Sequence, residues 1–104
     1  MFNIFAMPDG RDEEEVFETL LLRADLKIER IVSWGQVSPE GFWYDQEKHE
    51  WVVLLQGKAE LRWEDGRRQH LTAGDCLLLR AHEKHRVEYT SEQPHCIWLA
   101  VHFE

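Results

Sequence analysis

The chain reads as an all-β domain of barrel or sandwich type, and three observations point that way. Beyond position 25, apolar residues tend to recur at every second position, the period of a strand rather than a helix. The apolar runs are short and closely spaced. Turn residues separate them: Gly57, the pair Asp65-Gly66 and the pair Gly74-Asp75.

Taken in order, residues 3–6 read as a short strand, and Pro8, Asp9 and Gly10 as a turn. Asp12 reads as a helix cap, with Glu15 three positions on as its reciprocal partner. Val16, Phe17, Leu20 and Leu21 share one helical face, so residues 12–22 are expected to form the chain's single amphipathic helix. Leu26, Ile28 and Arg30 then alternate with Lys27, Glu29 and Ile31 as an edge-like strand, broken by Gly35 and by residues 39–41. Residues 42–44 read as a short strand, and residues 51–55 as a strand buried on both faces. Ala59, Leu61 and Trp63 point one way, with Lys58, Glu60 and Arg62 opposite. Asp65-Gly66 supplies the positive φ angles of a tight hairpin turn, and a short strand follows as far as Leu71. After the Gly74-Asp75 turn come an apolar strand at residues 76–79 and an alternating one from His85 to Tyr89. A loop at 91–94 leads to a final strand at 96–103, apolar on both faces. Strands apolar on both sides call for two packed layers plus a further partner, such as a second subunit.

The 104 residues hold one domain, divided into an N-terminal strand and helix extension over 1–25 and a barrel over 26–104. The net charge of −8 argues against binding nucleic acid or anionic lipid. The acidic run at residues 12–15 reads as a solvated helix start. Two cysteines, Cys76 and Cys96, make no disulfide framework; they are expected to be reduced and buried, although a bond between them is open. The N-terminus lacks the basic leader of a signal peptide, and no apolar run approaches a membrane span, so a cytoplasmic protein is expected.

EWVVLLQG (residues 50–57) has a Glu followed by six residues and then a Gly. GDCLLLRAHEKH (residues 74–85) places Gly-Asp, an apolar strand, a turn and a His in sequence. Together they resemble the two conserved motifs of the cupin superfamily, across residues 42–101. The resemblance implies a double-stranded β-helix barrel. It also implies that Glu50 and His85 occupy positions that usually bind a metal. The family's first motif carries His-x-His three or four residues before its Glu. Here those places hold Trp43 and Asp45, or Tyr44 and Gln46, depending on the gap. In the second motif Arg80 and His82 stand where Pro and Gly are usual.

On that footing Asp45 or Gln46, with Glu50 and His85, would form a mixed-oxygen, one-His site for iron, manganese, nickel or zinc. His82 would add an imidazole if the turn at 81–84 folds inward. Gln is a poor metal ligand beside Asp, so Gln46 would more readily bind a ligand through its amide. His49 should face away from Glu50, and His70, His95 and His102 show no partner spacing. Trp43, Trp51 and Trp63 read as core, with a tryptophan at the mouth, Trp43, able to stack on a ligand.

Three functions compete. The first is a metal-dependent enzyme of dioxygenase, isomerase or decarboxylase type, with Glu50 moving a proton. The second is a metal-free module that binds a small molecule through Gln46, Glu50, His82 and His85. The third is a dimeric scaffold; the resemblance implies a homodimer paired through sheets.

Overall fold

The computed structural model describes residues 1–7 and 13–104, so the turn read at Pro8 to Gly10 and the cap read at Asp12 lie outside the described residues. Eight strands are formed among them: β1 (Val16–Arg23), β2 (Leu26–Ser33), β3 (His49–Gln56), β4 (Lys58–Trp63), β5 (Arg68–Thr72), β6 (Cys76–Leu79), β7 (His85–Thr90) and β8 (Cys96–Phe103). A five-stranded sheet runs β1-β2-β8-β3-β6, and a three-stranded sheet runs β5-β4-β7. All pairings are antiparallel.

The strands follow from the alternation. On β4, Ala59, Leu61 and Trp63 are buried. They meet Val52, Leu54, Trp98 and Ala100 of the large sheet, with Leu71, Leu79 and Cys96 completing the core. Each large apolar side chain buried this way contributes about 1.5–3 kcal/mol. The turns behave as read. Gly66 takes φ 97° and donates to the Trp63 carbonyl at 3.0 Å. Asp75 Oδ2 accepts from the Thr72 amide at 2.8 Å. Gly57 takes φ 95°, and a Cβ there would stand 2.8 Å from Cys96 Sγ and 2.9 Å from Ser91 Oγ.

Four expectations are corrected. The helix predicted over residues 12–22 is absent; Val16–Arg23 is a strand paired with β2. A register slip between Thr19 and Leu21 explains the misreading. A bulge resets the two-residue alternation, and the result imitates helical spacing. The β1–β2 turn at Ala24 and Asp25 also lacks an Asn-Gly or Asp-Gly signature. Residues 3–6 form a turn instead of a strand, closed by the Ala6 amide on the Asn3 carbonyl at 3.0 Å, with Asn3 Oδ1 accepting from the Phe5 amide at 2.8 Å. Residues 42–44 contribute one bridge, Tyr44 to His85. Cys76 is exposed, while Cys96 is buried; both are free thiols.

The N-terminal segment is held by Arg30, whose side chain is 2% exposed. Its guanidinium pairs with Glu18 at 2.5 Å, donates to the carbonyls of Ile4 and Ala6, and lies over the Phe2 ring. No helix long and apolar enough to cross a membrane occurs among the described residues.

Candidate functional site

Residues two apart on a strand face the same side. On β3 this aligns Glu50, Val52 and Leu54, all buried, toward the small sheet. The row begins polar and ends apolar, so one end of the inter-sheet space is a filled core and the other a pocket. The pocket has a volume of about 80 Å³, room for several water molecules. Its polar residues are Glu15, Glu29, Tyr44, Gln46, Glu50, His85 and His102, set against apolar walls that include Leu61, Val87 and Trp98.

Glu50 is 7% exposed, and cross-strand pairing places it beside His102 on β8 and Leu79 on β6. Gln46 Nε2 donates to Glu50 Oε1 at 3.1 Å. His85 is 4% exposed. Its backbone exchanges hydrogen bonds with Tyr44, at 2.7 and 3.2 Å, and the two rings stack with centroids 5.4 Å apart. His85 Nδ1 lies 2.9 Å from the Glu83 carbonyl. A carbonyl only accepts, so Nδ1 carries a proton, and in the neutral tautomer that leaves Nε2 as an acceptor.

The pocket thus brings together Gln46, Glu50 and His85. Of the alternatives left open by the motif, Tyr44 and Gln46 line the pocket, and Asp45 does not. Asp45 instead lies 2.8 Å from His82 Nδ1, both well exposed. His82 has φ 62°, so the turn carries its side chain outward, and the imidazole stays out of the pocket. Trp43 is half-buried with the guanidinium groups of Arg62 and Arg86 at 5.8 and 5.9 Å from its ring, also outside the pocket lining. His49 faces away from Glu50 as expected, with Nδ1 accepting from the Ala81 amide at 3.0 Å.

Sequence reasoning missed Glu15, Glu29 and His102. His102 Nε2 is 2.8 Å from Glu29 Oε1, and Lys27 lies 3.4 Å from Glu29 Oε2. Burial pushes the Glu29 carboxyl up, but the His102 hydrogen bond and the Lys27 charge outweigh it and hold Glu29 below its ordinary value. Burial raises Glu15, only partly countered by the Ser33 hydroxyl that donates to it at 2.5 Å. The Tyr44 phenol is raised by burial and then by the charges of Glu15, Glu50 and Glu29. No spacing signal connects Glu29 to His102, which are far apart in the chain; the antiparallel register of β2 and β8 joins them.

The family model described as Cupin domain matches residues 34–102. The chain belongs to the cupin family. This cupin is similar to a solved protein of Ralstonia eutropha JMP134 described as a "putative mannose-6-phosphate isomerase": 43% identity, 100% of this chain and 97% of that one, TM-score 0.92. It also resembles a cupin superfamily protein of Desulfitobacterium hafniense DCB-2 at 15% identity, covering 92% of this chain and 83% of that one, TM-score 0.78. A third likeness is to the polyketide cyclase RemF of Streptomyces resistomycificus at 16% identity, covering 88% and 66%, TM-score 0.72. The last two likenesses show the fold alone. No curated protein matches the chain.

Proposed function

We propose that this cupin binds a small organic molecule in the pocket, held by Glu50, Gln46 and His85 against the apolar walls, with no metal needed. The observation that carries the reading is the Gln46–Glu50 hydrogen bond, which occupies the corner where the resemblance would put a ligand pair. A first-row metal needs several deprotonated donors converging from rigid elements. Among the described residues, no three His, Cys, Asp or Glu side chains come together to hold an ion. Glu50 and His85 share the pocket, Asp45 turns to His82, and Glu29 is engaged with His102 and Lys27. This donor set does not fit the iron, manganese, nickel or zinc centre expected from the sequence. The test is thermal-shift screening of tag-free protein with metabolites, in chelator and after reconstitution with each of those metals. Ligand stabilisation that persists in chelator supports the reading. Stoichiometric metal that is lost in both Glu50→Ala and His85→Ala overturns it.

A second reading, proton transfer on the bound molecule, is favoured by the Glu29–His102 pair, since a carboxylate that orients an imidazole is an acid–base arrangement. The isomerase in the description of the Ralstonia protein supports the same chemistry.

We also propose a homodimer and a cytoplasmic location. Paired residues set an apolar row across the outer face of the large sheet: Leu21, Ile28, Val101, Trp51 and Leu78. The row crosses all five strands without a charge, and Leu21, Trp51 and Leu78 are exposed. A second copy offers the same row, so the face is self-complementary about a two-fold axis. A monomer by light scattering at high concentration overturns the dimer. The two free thiols support a reducing compartment.

A further inference from the structure

We propose that the pocket selects a small cationic molecule, an amine on a short apolar body, and turns away phosphorylated and carboxylated ones. This rests on reading the pocket as a ligand site and adds the chemical class of the ligand.

The argument begins with charge. The described lining holds three carboxylates, Glu15, Glu29 and Glu50, and neither Lys nor Arg. Lys27, beside the pocket, is 40% exposed and already paired with Glu29. The three carboxylates all act on Tyr44, whose phenol burial first and then their charges make harder to ionise. Anion sites are built from Arg or Lys forks or from helix N-termini. The lining has no such side chain, and no helix occurs among the described residues.

Hydrogen-bonding capacity leads to the same class. Gln46 Nε2 donates to Glu50 Oε1, and Glu50 is 7% exposed, so its carboxylate accepts inside the pocket. His85 Nδ1–H donates to the Glu83 carbonyl, which leaves Nε2 of the neutral tautomer as an acceptor. His102 is taken up by Glu29. Besides the Tyr44 hydroxyl, which both donates and accepts, and the second Gln46 N–H, the cavity is lined by acceptors, the three carboxylates foremost, and these favour a ligand that donates. An ammonium donates and also carries the charge that offsets a buried carboxylate. Val52, Leu61, Val87 and Trp98 receive its apolar body, and the volume of about 80 Å³ keeps that body short.

The test titrates isotopically labelled protein with propylammonium, 1-propanol, propionate and mannose 6-phosphate, following the NMR signals of Trp98 and His85. Propylammonium is expected to give saturable shifts and to bind about tenfold more tightly than 1-propanol. Propionate and mannose 6-phosphate are expected to give no saturable shift, and mannose 6-phosphate no conversion. Glu50→Gln should weaken propylammonium about tenfold, clearly more than it weakens 1-propanol. Glu15→Gln serves as the second variant if Glu50→Gln does not fold by circular dichroism. If propionate or mannose 6-phosphate binds at these residues as tightly as propylammonium, the charge class is overturned while the ligand site stands. If all four probes leave both signals unmoved, this inference falls. The ligand site itself is then judged separately, by the chelator-resistant metabolite screen.

Discussion

The two ends of the inter-sheet space are built by one rule and do opposite work. At the base, β3 sends Leu54 into a dry cluster with Trp98, Leu71 and Cys96, and its side chain is fully buried. At the mouth the same strand face, four residues earlier, sends Glu50 into a pocket shared with His85 and His102. The base is closed by apolar contact. The mouth is closed by hydrogen bonds that leave some acceptors over. Apolar packing is therefore concentrated at one end and the polar groups of the proposed ligand site at the other.

Several substitutions sharpen or break that division. Leu54→Ala should cost the most, about 2–5 kcal/mol in chemical denaturation, because it opens a cavity where nothing polar can compensate. Next comes Gly57→Ala at the base. The left-handed φ and the 2.8 Å approach to Cys96 Sγ should together cost about 1–3 kcal/mol. If either variant is as stable as the parent, the base is not where the fold is held.

At the mouth the expected effects on stability are smaller and depend on pH. Glu29 is held below its ordinary value, so it stabilises the fold above the unfolded carboxylate range and loses that contribution as pH falls through its lowered folded value. Glu29→Gln should therefore cost about 1 kcal/mol at neutral pH, and the deficit should shrink on acidification. A constant deficit across an acid titration would disprove the His102 pairing. Glu15 has the opposite sign. Its carboxyl is raised, so it favours the fold at low pH, and this contribution fades as pH climbs from the unfolded value through the raised one. Glu15→Gln should raise Tm at neutral pH by up to ~4 °C, the smallest of these effects. A lower Tm would show that the Ser33 hydrogen bond outweighs burial.

Much of the barrel was readable from residues. Ala59, Leu61 and Trp63 declare an inward face by simple alternation, and Asp65-Gly66 and Gly74-Asp75 announce their turns. Glu50, second in β3, and His85, first in β7, share the pocket because the apolar residues after each set the phase of its strand. The strand β1 was not readable, since a bulge spoils the period on which such reading relies. Trp51 was read as buried on both faces, yet it stands exposed on the outer side of the sheet. An apolar run records which residues avoid water, and a single chain leaves some of them uncovered.

The resemblance to the cupin motifs put Glu50 and His85 in one site. Sequence alone established a β architecture and the places of the Asp65-Gly66 and Gly74-Asp75 turns. These rest on local geometry, which repeats every two residues and carries its signature along the chain. The tertiary structure chose Gln46 over Asp45, turned His82 outward, and joined Glu29 to His102. Those outcomes depend on strand register and on the direction of a single turn, and both are set by contacts between residues distant in the chain.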